Sequence, residues 1–228
     1  MIRGVLFDKD GTLVDFEQTW RPAYDACAAM AAGADAALAL ELLELAGQDE
    51  SGLIDPRSPL ACGTLDEVWD TWEGRVVLDR AALDRLAAEM AIPVPSLPLA
   101  PVFERLKGLR LGIATMDTTA AALKTAETLG LQLDFVTGCD GGHGTKPGPG
   151  MVLAFCEAVG LEPIEVAMVG DTLHDLHAAR AAGALAVAVT TGASPRELLE
   201  PHADHVLRSL AELPGLLAAI SPGPRRRS

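Results

Sequence analysis

Gly4-Val-Leu-Phe7, followed at once by Asp8-Lys-Asp-Gly-Thr-Leu13, is the stretch on which the fold turns. An unbroken apolar run this short reads as a strand buried on both faces, the habit of parallel sheets flanked by helices. Charge begins where the run ends. Asp8 and Asp10 stand two apart in a chain leaving a strand, so their carboxylates can share one side and meet one ligand. Gly11 then lets the backbone turn away at close quarters.

The same pattern recurs downstream. Leu111 to Ala114 runs into Thr115-Met-Asp117, and Val166 to Val169 runs into Gly170-Asp-Thr-Leu-His-Asp175. Ala186 to Val189 is a further apolar run, with Phe135-Val136 and Val206-Leu207 as weaker ones. Between them lie helical patterns at Thr118 to Leu129, Met151 to Val159, Asp175 to Ala182 and Leu210 to Ile220. Strand alternating with helix predicts an α/β fold with a doubly wound parallel sheet.

Residues 15–98 break the rhythm and read as a small α-helical insertion after the first strand. Trp20, Tyr24 and Cys27 fall at helical spacing, as do Leu65, Val68, Trp69 and Trp72, which are expected to form the insertion's own core. Thr64 with Glu67 predicts a capping box. The run Ile92-Pro-Val-Pro-Ser-Leu-Pro98 cannot continue a helix and reads as the return linker. Residues 1–14 and 99–222 are then the core, and 223–228 a disordered tail.

Charge and cysteine usage narrow the partners. The 228 residues carry 18 basic and 32 acidic side chains, a net charge of −14, which repels nucleic-acid phosphates and anionic membrane surfaces. The insertion holds 16 of the acids and only 5 of the bases. The longest stretch without a charged residue, Ala181 to Pro195, spans 15 residues, short of the roughly 20 that a membrane helix needs. With no signal-peptide pattern and no tight pairing among Cys27, Cys62, Cys139 and Cys156, the expectation is a cytoplasmic protein with reduced thiols, a monomer or homodimer.

Ligands of open parallel sheets bind beyond the carboxyl ends of the strands. Three strand ends deliver Asp8, Asp10, Asp171 and Asp175 to that edge, together with the Thr115 hydroxyl. Two unit charges about 4 Å apart repel by roughly 4 kcal/mol at an effective dielectric of about 20, so something cationic must compensate. Mg2+, a hard ion held by carboxylates and substrate phosphate oxygens, is the natural cofactor. With Lys146 it brings the four carboxylates within one charge of neutrality, and a proton on Asp10 closes the gap, so that a phosphate can enter.

At this point the sequence resembles the haloacid dehalogenase superfamily of phosphohydrolases, and phosphoglycolate phosphatases in particular. The resemblance rests on Asp8-Lys-Asp-Gly-Thr-Leu13, on Thr115 closing Leu111-Gly-Ile-Ala-Thr115, on Lys146-Pro-Gly-Pro149, and on Gly170-Asp-Thr-Leu-His-Asp175, four motifs in family order within the core. It implies a phosphatase that hydrolyses a small phosphorylated metabolite under a helical cap. Asp8 would be the nucleophile that becomes an aspartyl phosphate, and Asp10 the general acid and base. Thr115 and the main-chain N–H of Met116 would hold phosphoryl oxygens, and Lys146 would stabilise Asp8 and the developing charge. Asp8, the Asp10 carbonyl oxygen and Asp171 would bind Mg2+, with Asp175 orienting metal-bound water or Lys146. Met116 stands where the family often has Asn or Gly, a change that keeps the main-chain donor.

Two other readings remain open: a sugar-phosphate mutase, and a noncatalytic phosphate-binding module. The insertion contains neither lysine nor histidine, and Asp10 supplies the acid and base of phosphoryl transfer, which together favour the phosphatase. The cap is expected to close over the site and supply specificity through one or more of Arg21, Arg57, Arg75, Arg80 and Arg85, with Arg21 first as the residue nearest the hinge. His174 and His177 read as solvated side chains beside the last motif, and Cys139 with His143 as too few ligands for a transition metal.

Overall fold

The computed structural model describes residues 1–33 and 35–220; the expected tail at 223–228 lies outside them. In chain order, β1 (Gly4–Phe7) is followed by five helices, α1 (Phe16–Ala32), α2 (Ala36–Ala46), α3 (Pro59–Cys62), α4 (Leu65–Trp72) and α5 (Arg80–Met90). Then come α6 (Ala100–Arg105), β2 (Arg110–Ala114), α7 (Thr119–Thr128), β3 (Phe135–Thr137), α8 (Gly150–Val159), β4 (Val166–Gly170) and α9 (Leu173–Ala182). β5 (Leu185–Val189), α10 (Arg196–Leu199), β6 (His205–Leu207) and α11 (Leu213–Ile220) follow, the last of them ending the described residues. All six expected strands form. α6 and α10 have no counterpart in the sequence reading, because six and four residues are too short to display a helical period.

The strands make one parallel sheet in the order β3-β2-β1-β4-β5-β6, with β1 paired to β2 on one side and to β4 on the other. Alternate residues feed two cores. Val5, Phe7, Ile113, Ala167, Val169, Val187 and Val189 face Val102, Leu106, Leu213 and Leu217 of α6 and α11 with its flanks. Leu6, Met168, Ala186 and Ala188 face Met151, Phe155, Leu176 and Ala179 of α8 and α9. A continuous apolar run is what such double coverage demands. Phe155 packs where a Cβ on Gly4 or Gly112 would crowd its ring, so those two glycines in the strands are places for an aromatic side chain.

The chain divides into two units, residues 1–14 with those from 95 onward, and residues 15–94. The return boundary falls before Pro95 because Pro95 bridges to Val14, Ser96 N donates to the Leu13 carbonyl, and Ser96 Oγ donates to the Thr12 carbonyl. The end of the Pro-rich run is therefore tied to the sheet unit.

The helical unit has its own core. Trp69 and Trp72 are fully buried with ring centroids 4.8 Å apart, and their indole N–H groups donate to Asp84 Oδ1 and the Leu42 carbonyl. Trp20 stacks on Tyr24 at 5.3 Å. Asp15, Asp35 and Asp79 cap α1, α2 and α5, and the expected Thr64–Glu67 capping box opens α4. Four of the unit's acids thus serve helix termini, where carboxylates meet the positive end of the dipole.

Candidate active site

β1 sits at the switch point of the sheet, where the chain has wound off in both directions, and Asp8, Thr115 and Asp171 directly follow β1, β2 and β4. The loop after β1 turns sharply: Lys9 O accepts from both Leu13 N and Val14 N, and Gly11 takes φ of +78°, a value open to glycine. That turn is also crowded. A Cβ on Gly11, or on Gly192 of the loop after β5, would overlap the Asp171 carboxylate.

Lys146 gathers the site. Its Nζ donates to Asp8 Oδ1 and Asp175 Oδ1, each at 2.6 Å, and to the Ala114 carbonyl at 3.1 Å, which occupies all three ammonium protons. Carboxylate oxygens of Asp8, Asp171 and Asp175 lie within 4.8 Å of one another, and all three residues are buried. Asp171 accepts from Thr12 Oγ1 at 3.1 Å and from Ala193 N at 3.1 Å. Asp175 accepts from Thr172 N and Oγ1 through its other oxygen, so it both starts α9 and aims Lys146.

The electrostatics follow from three acids around one base. Burial pushes the Asp8 carboxyl up, Lys146 pulls it back, and the charges of Asp175 and Asp10 add to the rise, leaving it at about 7. Burial, then Asp8 and Asp175, hold Asp171 well above the usual carboxylate range. At Lys146 burial opposes the charge, but Asp175 and Asp8 outweigh it and the ammonium is held more tightly than usual. An all-oxygen donor set with excess negative charge fits a hard divalent cation such as Mg2+ and does not suit a thiophilic metal.

Asp10 stands apart from this cluster. Both of its carboxylate oxygens lie 2.8 Å from Lys9 Nζ, and that ammonium also meets Asp117 Oδ2 at 3.0 Å. Burial works against the Lys9 charge, yet Asp10 and Asp117 outweigh it and push it up to about 12. Sequence reasoning gives Lys9 and Asp117 no role; a cation between two acids in Asp8-Lys-Asp10 is the one signal that could have found the first of them.

Thr115 is buried at the end of β2, where its N–H donates to the Thr137 carbonyl and its Oγ1 accepts from Asp117 N at 3.1 Å. With that acceptor engaged, the hydroxyl proton remains to be donated. Met116 follows it at the rim.

The remaining candidates lie elsewhere. His177 Nε2 is 3.1 Å from His202 Nδ1, a pairing with which burial and the neighbouring ring hold His177 below its usual value, and neither His174 nor His177 joins the acidic cluster. His143 packs its ring on Phe135. Among the described residues Cys139 and His143 belong to no group of three metal ligands. In the helical unit Arg21 donates to the Gly52 carbonyl and pairs with Glu17 and Asp25, Arg75 pairs with Glu41, and Arg80 with Asp66, Asp70 and Glu73. Arg57 and Arg85 are exposed and make no ion pair among the described residues. Arg21, the first choice from sequence, thus has its ion-pair partners within its own unit, as expected on a surface so rich in acids.

Comparison with known proteins bears on the family and the fold. The haloacid dehalogenase-like hydrolase family profile matches residues 2–183. A phosphoglycolate phosphatase from Chromobacterium violaceum is 39% identical over 111 residues, 48% of this chain and 49% of that protein, so that alignment spans about half of each. The plasmid-borne protein CbbY of Cupriavidus necator is 32% identical over 222 residues, covering 87% of this chain and 82% of its own. In fold, CbbY from Rhodobacter sphaeroides in complex with phosphate superposes with a TM-score of 0.69 at 22% identity, over 93% of this chain and 96% of that one. The profile match over most of the chain, together with the CbbY relative, places this protein in the haloacid dehalogenase-like hydrolase family.

Proposed function

We propose that the protein is a Mg2+-dependent phosphatase acting on a small phosphoglycolate-like phosphomonoester, with Asp8 as covalent nucleophile. The observation that carries this reading is the Lys146 ammonium shared between Asp8 and Asp175 at 2.6 Å, with Asp171 completing a buried carboxylate group at the switch point. A carboxylate fixed in rotation by a lysine at 2.6 Å is held in place for attack. The names of the relatives support the substrate class.

In the first half reaction an Asp8 carboxylate oxygen forms a bond to phosphorus while the ester oxygen leaves, and the Asp10 carboxyl gives that oxygen its proton. In the second, Asp10 takes a proton from water, the water oxygen bonds to phosphorus, and the Asp8–phosphorus bond breaks to release phosphate. The Thr115 hydroxyl and the Met116 N–H hold phosphoryl oxygens, and Lys146 offsets the charge gathering beside Asp8. Asp8, Asp171 and the Asp10 carbonyl oxygen would hold Mg2+, with Asp175 aiming Lys146. When bound, the ion supplies charge neutralisation for the incoming phosphate. The same proposal gives residues 15–94 the part of a specificity cap and places the enzyme in the cytoplasm.

The test is a screen of phosphorylated metabolites for Mg2+-dependent phosphate release, followed by acid quench of the best substrate's reaction and mass spectrometry of the chain. Phosphate on Asp8, and no turnover by Asp8→Asn, is the expected result. Phosphate found on another residue, or release that persists in Asp8→Asn, would overturn the reading.

A further inference from the structure

We infer that Lys9 is a positioning residue that keeps the Asp10 carboxylate out of the metal cluster and fastened to the loop that holds the phosphoryl group. The inference rests on the role assigned above to Asp10. Asp8 and Asp10 are two residues apart and leave the same strand, so both carboxylates have access to the cation edge. Only one of them goes there. Among the described residues, the carboxylates within reach of one ion belong to Asp8, Asp171 and Asp175, whereas Asp10 meets Lys9 Nζ at 2.8 Å through both oxygens.

The lysine is itself anchored. It is 3% exposed, and its ammonium reaches Asp117 Oδ2 at 3.0 Å, while Asp117 Oδ1 accepts from Thr118 N at the start of α7. Asp117 N in turn donates to Thr115 Oγ1. A continuous polar chain therefore runs from Asp10 through Lys9 and Asp117 to the Thr115 hydroxyl, tying the proton-transfer group to the loop after β2. A buried cation between two carboxylates costs desolvation, and removing it would take an ion-pair partner from each acid. Without Lys9, Asp10 becomes a spare carboxylate for a divalent ion, and an acid bound to a metal through its side chain cannot carry a proton to a leaving group.

This assignment has a signature that a general structural defect lacks. An alkoxide leaves with a proton and needs the acid, whereas dinitrophenolate leaves without one. The experiment first titrates Mg2+ into the full-length protein by calorimetry without substrate. Lys9→Met should bind the ion more tightly as Asp10 joins its ligands, and unchanged affinity would overturn the inference. It then compares kcat/KM, which reports the phosphorylation half reaction, for dinitrophenyl phosphate and for the best alkyl phosphomonoester of the screen. Lys9→Met is expected to lower the alkyl value by about 10²- to 10³-fold, the range of general acid help, with little change for the dinitrophenyl ester, and Lys9→Arg is expected to restore most of the loss. Asp117→Asn loosens the anchor while leaving the lysine, and should show the same selectivity at about 10-fold; it decides the matter if Lys9→Met does not fold. Equal losses for both substrates in the folded variants, or no loss for either, would overturn the inference. A wild-type enzyme that hydrolyses neither ester would instead overturn the phosphatase reading, and this one with it.

Discussion

Gly192 lies against the Asp171 carboxylate so closely that a Cβ at that position would overlap it. The loop after β5, to which sequence reasoning gives no role, thus shapes the acid at the end of β4. Gly192→Ala must displace Asp171 from its hydrogen bonds with Thr12 and Ala193. A fall of about 10- to 100-fold in Mg2+ affinity is expected, the usual range for groups that orient metal ligands. Titration of activity with Mg2+ reads it directly, and an unchanged half-saturation point would exclude the role.

Asp171 also makes the metal-free protein sensitive to pH. Its folded pKa lies above the unfolded value, so the native state holds that proton more tightly than the unfolded chain. The stability this proton carries is full below the unfolded value and is lost as pH rises through the folded one. Asp171→Asn escapes the loss, since an amide can still accept from Ala193 N and can donate to Thr12 Oγ1. In the presence of a chelator its Tm should exceed that of the wild type at pH 8 by more than at pH 5, as about 1.4 kcal/mol accompanies each tenfold change in proton affinity between the two states. Added Mg2+ should raise the Tm of the wild type alone. Parallel melting curves across that pH range would count against the account.

Phe155 is the packing pivot of the α8 face, fully buried, over Gly4 and Gly112 and 5.9 Å from the Phe135 ring. Truncation to alanine opens a cavity that two glycines cannot fill. Phe155→Ala should cost about 3–5 kcal/mol in urea unfolding, and a loss below about 1 kcal/mol would show that the sheet collapses onto the gap.

Thiol chemistry offers a separate check on the helical unit. Burial, with Asp84 nearby, pushes the Cys27 thiol up to about 12, and burial raises Cys156 as well. The thiolate is the reactive form. Iodoacetamide at pH 8 should label Cys62 or Cys139 well before Cys27 or Cys156, as peptide mapping would show. Labelling of Cys27 at the rate seen in urea would contradict its burial.

The sheet is legible in the sequence because double burial writes itself as unbroken apolar runs, and the site because three of the runs lead into Asp8, Thr115 and Asp171. Asp8, Thr115 and Asp171 directly follow β1, β2 and β4, whereas Lys146 stands nine residues past β3 and Asp175 in the first turn of α9. What escapes is whatever depends on contact rather than on period. α9 begins at Leu173, two residues before the helical pattern starts, because the Thr172–Asp175 capping box opens the helix and spends Asp175 as its third residue. Lys9 and Asp117 are far apart in sequence, and nothing in either neighbourhood announces that they meet. The arginines of the helical unit read as candidates for substrate, and which carboxylates Arg21, Arg75 and Arg80 pair with depends on contacts that no period announces.

The central place of β1 has a kinetic meaning. Its register with β2 joins Gly4 to Arg110 and with β4 joins Gly4 to Val166, so both pairings close long excursions of the chain. Contacts this distant in sequence form slowly, since loop entropy must be spent before they reward it. Asp8 therefore meets Lys146, Asp171 and Asp175 only once β1 has entered the sheet, and catalytic competence should arrive with that step.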